Sequence, residues 1–206
     1  VGMTNMGFAI AKEAAQTIHF PNFCKNASKK TKITFLDDNA DSLKNVFITR
    51  YKHFFELTGF YYKDMKGDEL VSNYYSPIET ETNNEFIDIC FEFIKGNTTD
   101  SLVQEAINEW SKAKEHFTII ICMDNSAINM ETGLFLPNCV YDNDIPILIK
   151  QDVSGSLLTL LNSKSFEESK HKYSHLFPFG MKDGGYDHNE KYVYLAQCIH
   201  YIYEYY

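Results

Sequence analysis

Two glycines five positions apart, Gly2 and Gly7, open the chain in Val1-Gly2-Met3-Thr4-Asn5-Met6-Gly7, and a helix-forming run from Phe8 to Ala15 follows at once. A tight turn from strand to helix needs this arrangement. The first glycine allows the turn, the last lets helix and sheet pack closely, and the leading N–H groups of the helix face whatever lies over the loop. The chemistry such a loop performs is the binding of a phosphate. The dinucleotide fingerprint G-x-G-x-x-G is met at its first and third glycines, with Thr4 in the middle place. A threonine Cβ there restricts the approach of a pyrophosphate, while its hydroxyl offers a phosphate a hydrogen bond.

A second chemistry-bearing position ends the short apolar strand Ile33-Thr34-Phe35-Leu36-Asp37. In a dinucleotide fold the carboxylate at the tip of the second strand accepts hydrogen bonds from the adenosine ribose, usually about 20 residues beyond the glycine turn. The spacing is longer here, and the polar, lysine-bearing connector from Asn22 to Lys32 absorbs the difference. Asp37, Asp38 or Asn39 can equally cap the helix that follows, and the two roles are compatible. With Asp37 and Asp38 beside the ribose a 2′-phosphate would be repelled, and no arginine stands next to them to clamp it, so NAD(H) is expected over NADP(H). Gly96, which breaks a later strand, and Asp124, which ends another, complete the cofactor-binding set of Gly2, Met3, Thr4, Asn5, Met6, Gly7, Asp37 and Asp38.

No residue stands out as catalytic. Hydride chemistry needs a placed acid or base and a substrate pocket, usually built by a second domain. His53 falls in a helix, His116 before a strand and His200 in the closing helix. His171 and His175 are four apart, as metal ligands on a helix would be, but Glu167, Glu168, Lys170 and Lys172 mark a solvated surface, so no metal is expected. The five cysteines are odd in number, scattered and mostly set in apolar runs, the pattern of reduced core thiols in a reducing compartment.

The elements that must position these residues alternate. Helical spacing covers Ile10 to Ile18 and Leu43 to Phe55. The run from Phe86 to Ile94 reads as a strand, Leu102 to Trp110 as a helix, and Phe117 to Met123 as a strand buried on both faces. A helix from Ala127 to Phe135, a strand from Ile145 to Ile149 and a helix around Leu157 to Leu161 follow. Between Gly59 and Asn84 no clear period emerges, which reads as an inserted loop or a lid. Strand-helix alternation predicts a Rossmann-like, doubly wound α/β fold, a parallel sheet with helices on both faces and ligands outside the carboxyl ends of its strands. The predicted division is a nucleotide-binding domain over residues 1–165 and a C-terminal extension over 166–206, closed by an amphipathic helix rich in tyrosine.

The chain has 206 residues, of which 44% are hydrophobic and 15% aromatic, enough for one large domain or one domain with an appendage. A net charge of −9 excludes nucleic acid as the principal partner. No apolar run approaches the ~20 residues that span a bilayer. Only Val1 precedes the glycine turn where a buried strand is expected, and the last helix stops without a cap, so continuation in both directions is expected.

On the glycine turn, the strand ending at Asp37, and the pair Phe117 to Asp124 and Ile145 to Lys150, the chain resembles the TrkA-N, or RCK, family of regulatory domains over roughly residues 1–165. Members bind NAD(H), NADP(H) or adenine nucleotides and transmit occupancy to a bacterial potassium channel or transporter. The resemblance implies a cytoplasmic nucleotide sensor with NAD(H) or another adenine nucleotide as ligand. It would be paired as a homodimer, and would be the soluble part of a larger, membrane-anchored or signalling protein. The segment Leu195 to Tyr203 is similar to the opening helix of ryanodine-receptor-type (RyR) domains, which would place such a domain next in the same chain. Two other readings are an NAD-dependent oxidoreductase and a Rossmann-type assembly module that binds no ligand.

Overall fold

In the computed structural model, residues 1–19, 22–26, 29–66, 69–76, 88–112, 117–152 and 172–180 are described. The chain enters α1 (Asn5–Thr17) through Thr4, an extended N-cap whose hydroxyl accepts from Gly7 N. After the short α2 (Asn22–Lys25) come β1 (Thr31–Asp37), α3 (Ala40–Arg50) and α4 (Lys52–Phe55). The single helix expected from Leu43 to Phe55 is thus broken at Tyr51, whose N–H still bonds back to Phe47 O.

The stretch after Gly59 is a correction to the sequence reading. It contains a hairpin, β2 (Phe60–Lys66) and β3 (Glu69–Tyr75), paired antiparallel from Phe60↔Tyr75 to Lys66↔Glu69. Its aromatic rings pair across the strands, Phe60 stacked on Tyr75 and Tyr61 tilted against Tyr74. Such aromatic pairs stabilise strands that lack a clean apolar alternation. Residues 77–87 lie outside the described set.

The second half runs β4 (Ile89–Lys95), α5 (Ser101–Lys112), β5 (Ile119–Ile121), α6 (Ser126–Leu134), α7 (Asn138–Asp142), β6 (Ile147–Lys150) and β7 (Leu176–Phe179). Two sheets result, with strand orders β1-β4-β2-β3 and β5-β6-β7. All neighbours are parallel except the β2–β3 hairpin, so the sheet is mixed where an all-parallel one was expected. Residues 1 and 2 bridge the two sheets. Val1 N donates to Ile120 O at 2.6 Å and Cys122 N to Val1 O at 2.9 Å, while Gly2 N donates to Leu36 O at 2.9 Å. α7 and β7 had no counterpart in the sequence reading, and β7 draws residues from beyond 165 into the sheet. The helix expected at Leu157 to Leu161, His171 and the closing helix fall outside the described residues.

Apolar side chains divide by face. Phe35, Phe91 and Phe93 join Phe8 of α1, Phe47 of α3 and Phe55 of α4 in one cluster. The alternate positions Leu36 and Ile94 join Val103 and Ile107 of α5, Val140 of α7 and the isoleucines of β5 and β6 in another. Glu92 lies on the second face at 1% exposure, accepting from Thr34 Oγ1 at 2.9 Å and paired with Lys63 Nζ at 2.7 Å. Cys90 and Cys122 are buried free thiols. No described helix is long and apolar enough to cross a membrane.

One ion pair ties the end of α1 to the start of β4. His19 Nδ1 lies 2.8 Å from Asp88 Oδ1, and this hydrogen bond, followed by the carboxylate's charge, raises the imidazole above its ordinary 6.5. A raised folded-state value means that the tie stabilises the fold below the unfolded value and is lost as pH rises through the folded one. NMR titration should place the His19 midpoint above 6.5, and Asp88→Asn should bring it down. A midpoint unmoved by that substitution would remove the tie.

Candidate functional site at the carboxyl edge of the strands

The glycine loop, the tip of β1 and the tip of β5 meet at one edge. Gly2 adopts φ +90°, and a Cβ there would lie 2.8 Å from Met123 N, so only glycine allows the loop this close to the β5 tip. At Gly7 a Cβ would meet Gly2 O at 2.6 Å and Cys122 Sγ at 3.0 Å, which is the close helix-strand approach expected of the third fingerprint position.

Thr4 is turned inward. Its hydroxyl donates to Cys122 O at 2.6 Å and accepts from Gly7 N at 3.2 Å. The middle position of the fingerprint therefore clamps the loop to β5, and its proton is already given to a carbonyl. In this arrangement the hydroxyl serves the loop and the β5 tip. Asn5 and Met6, on the first turn of α1, are exposed. Asn5 Oδ1 accepts from Arg50 Nη1 at 3.1 Å, and the Arg50 guanidinium lies 5.5 Å from the Phe8 ring centre. The chain's single arginine thus flanks the helix N-terminus.

Asp37 touches the loop directly. Its Oδ2 accepts from Met3 N at 2.8 Å and its Oδ1 from Asn39 N at 2.8 Å. One carboxylate therefore holds both the glycine loop and the entry to α3, where the Asn39 side chain makes no capping bond. Each oxygen retains a lone pair, since an ionised carboxylate offers about four acceptor sites. Asp38 reaches across to the loop after β4, accepting from Asn97 Nδ2 at 3.4 Å. Gly96 is in that same loop and donates to Asp37 O at 3.2 Å. Asp124, exposed, follows Met123 at the β5 tip. All ten positions singled out in the sequence thus lie at this edge or on the loops and helix turn that leave it.

No family model, curated protein or solved structure matches the chain.

Several residues of the site carried no sequence signal. Asn129, in the middle of α6 and fully buried, accepts from Met123 N at 2.8 Å and donates to Met123 O at 2.9 Å and Lys150 O at 3.1 Å. It sets the spacing of the β5 and β6 tips. Ser126 Oγ donates to Asp152 Oδ2 at 2.6 Å, and Gln151 Nε2 donates to Ser126 O at 3.4 Å, fixing the chain beyond β6. A lone asparagine at a core position of a helix is the one hint available beforehand, because a buried amide must find partners. Burial pushes the Cys122 thiol above its ordinary value, so it stays protonated and donates to Gly2 O at 3.4 Å. It acts as a loop fastener and not as a nucleophile. Among the described residues no group of three His, Cys, Asp or Glu side chains is placed to hold a metal.

Proposed function

We propose that this chain is a Rossmann-like, doubly wound domain that senses NAD(H) or another adenine nucleotide for a larger ion-transport or signalling protein, as its resemblance to TrkA-N domains implies. One observation carries the reading: the Asp37 carboxylate at the β1 tip bonds to Met3 N in the glycine loop at 2.8 Å, so acid and loop form one surface. A ribose on the acid would place its 5′-phosphates over the loop. The doubly wound reading is supported by the lateral sequence β4, β1, Val1–Gly2, β5, β6, with α1 and α3 packed into one apolar cluster and α5 and α7 into the other. Pairing as a homodimer belongs to this proposal through the dense apolar and aromatic spacing from Tyr192 to Tyr206, outside the described residues, and through the resemblance, which also carries attachment to a membrane-spanning or RyR-type domain.

Thermal-shift measurements with NAD, NADH, NADP, ATP, AMP and S-adenosylmethionine test the reading. A ligand at 100 times its Kd should stabilise by about 2.7 kcal/mol. At roughly 2–4 °C per kcal/mol for a chain of this size, the shift is easily resolved. NAD is expected to bind more tightly than NADP, because Asp37 and Asp38 present two carboxylates to a 2′-phosphate. Asp37→Ala should weaken NAD and narrow the difference. Tighter binding of NADP would refute the assignment of the ribose corner.

Thr4 favours a second reading. With its hydroxyl consumed by Cys122 O and Gly7 N, the loop is complete without a ligand, as in an assembly module. Silence toward all six compounds would leave that reading.

A further inference from the structure

We propose that Lys150 makes this edge select adenine nucleotides carrying a 5′-diphosphate over nucleosides and sulfonium-bearing adenosyl compounds. The inference rests on the nucleotide reading above. Lys150 is the last residue of β6, and its side chain folds back over the neighbouring tip, with Nζ 3.5 Å from Met123 O. That contact is long, and among the described residues Lys150 enters no ion pair. Of the described carboxylates that follow the β5 and β6 tips, Asp152 accepts the Ser126 hydroxyl and Asp124 is exposed. The seat is firm, because Asn129 holds both Met123 and the Lys150 carbonyl.

The edge therefore has two chemical ends with the glycine loop between them. Asp37 and Asp38 make the β1 side acidic, and the Lys150 ammonium sets a positive charge at the β5 tip, where the exposed Asp124 also stands. From β1 to β5 there are two strand spacings, with residues 1 and 2 between, or about 10 Å. A ribose bound at Asp37 can cover that gap only through a chain of phosphates at its 5′ position. Bare adenosine stops short. The positive charge of S-adenosylmethionine would meet an ammonium, whereas a diphosphate would meet a charge-assisted donor.

Calorimetric titration of the full chain with ADP, NAD, adenosine and S-adenosylmethionine, for wild type, Lys150→Gln and Lys150→Arg, is the test. Loss of a hydrogen bond to a charged group should weaken ADP and NAD about ten-fold or more in Lys150→Gln. Adenosine should be unaffected, and Lys150→Arg should recover most of the loss. Equal weakening of adenosine and ADP, or no weakening at all, would overturn the role of Lys150 while leaving the nucleotide reading intact. Failure of the unaltered chain to bind any of the compounds would remove both. Should Lys150→Gln not fold, the wild-type ratio of ADP to adenosine affinity decides: it should fall as salt is raised, and a ratio indifferent to salt counts against the inference.

Discussion

Phe47→Ala is expected to lower the free energy of unfolding by about 3–5 kcal/mol. Phe47 is fully buried, and its ring centre lies 4.8 Å from that of Phe35, 5.1 Å from Phe8 and 5.5 Å from Phe91. It joins α3 to α1 and to two strands at once, so no single neighbour can relax into the space it would leave. A domain commonly has about 5–15 kcal/mol in total, and the variant should be close to unfolding at physiological temperature. Urea denaturation followed by far-UV circular dichroism measures this as a lower midpoint with an unchanged slope. A loss below about 1 kcal/mol, the range of an exposed side chain, would mean that α3 is not seated on the sheet as described.

Lys63→Met should be nearly as damaging, for an electrostatic reason. It leaves the Glu92 carboxylate at 1% exposure with Thr34 Oγ1 and with Lys32 Nζ at 3.9 Å. Removing one partner of a buried pair costs about 3–5 kcal/mol, because the remaining charge has lost water and its close counterion, and the half-exposed Lys32 is a distant substitute. The mirror change, Glu92→Leu, should cost less. Lys63 keeps 20% of its side chain exposed and can turn toward solvent. The double replacement should recover much of the Lys63→Met loss, since two apolar side chains need no pairing. Denaturation of the three variants forms a double-mutant cycle, and additive losses would show that the 2.7 Å contact carries no coupling.

The parts legible in the sequence were those set by local constraints. A helix start fed by Gly2 and Gly7 can be recognised because few other residues permit that turn, and an acid after an apolar strand can be recognised because the period stops there. Both features meet at Asp37, although its spacing from the glycine turn is longer than usual. The boundaries of α1, α5 and α6 followed from helical periodicity within a few residues. The hairpin of β2 and β3 reads in the sequence as an inserted loop or a lid, because its residues alternate poorly and are stabilised by cross-strand tyrosine and phenylalanine contacts that no local pattern reveals.

By itself, then, the sequence determined the α/β character, the glycine turn, its proximity to a terminal acid and the acidic corner of Asp37 and Asp38. These depend on backbone conformation and on apolar period, both of which act over a few residues. Tertiary structure alone decided that Thr4 spends its hydroxyl on Cys122 O, that Glu92 is buried against Lys63, and that Asn129 sets the β5 and β6 tips. Only the fold could place the Lys150 ammonium at the β5 tip, against Met123 O. In each case the deciding partner is distant in sequence, and a polar group's role is set by which donor or charge the fold brings within about 3 Å of it.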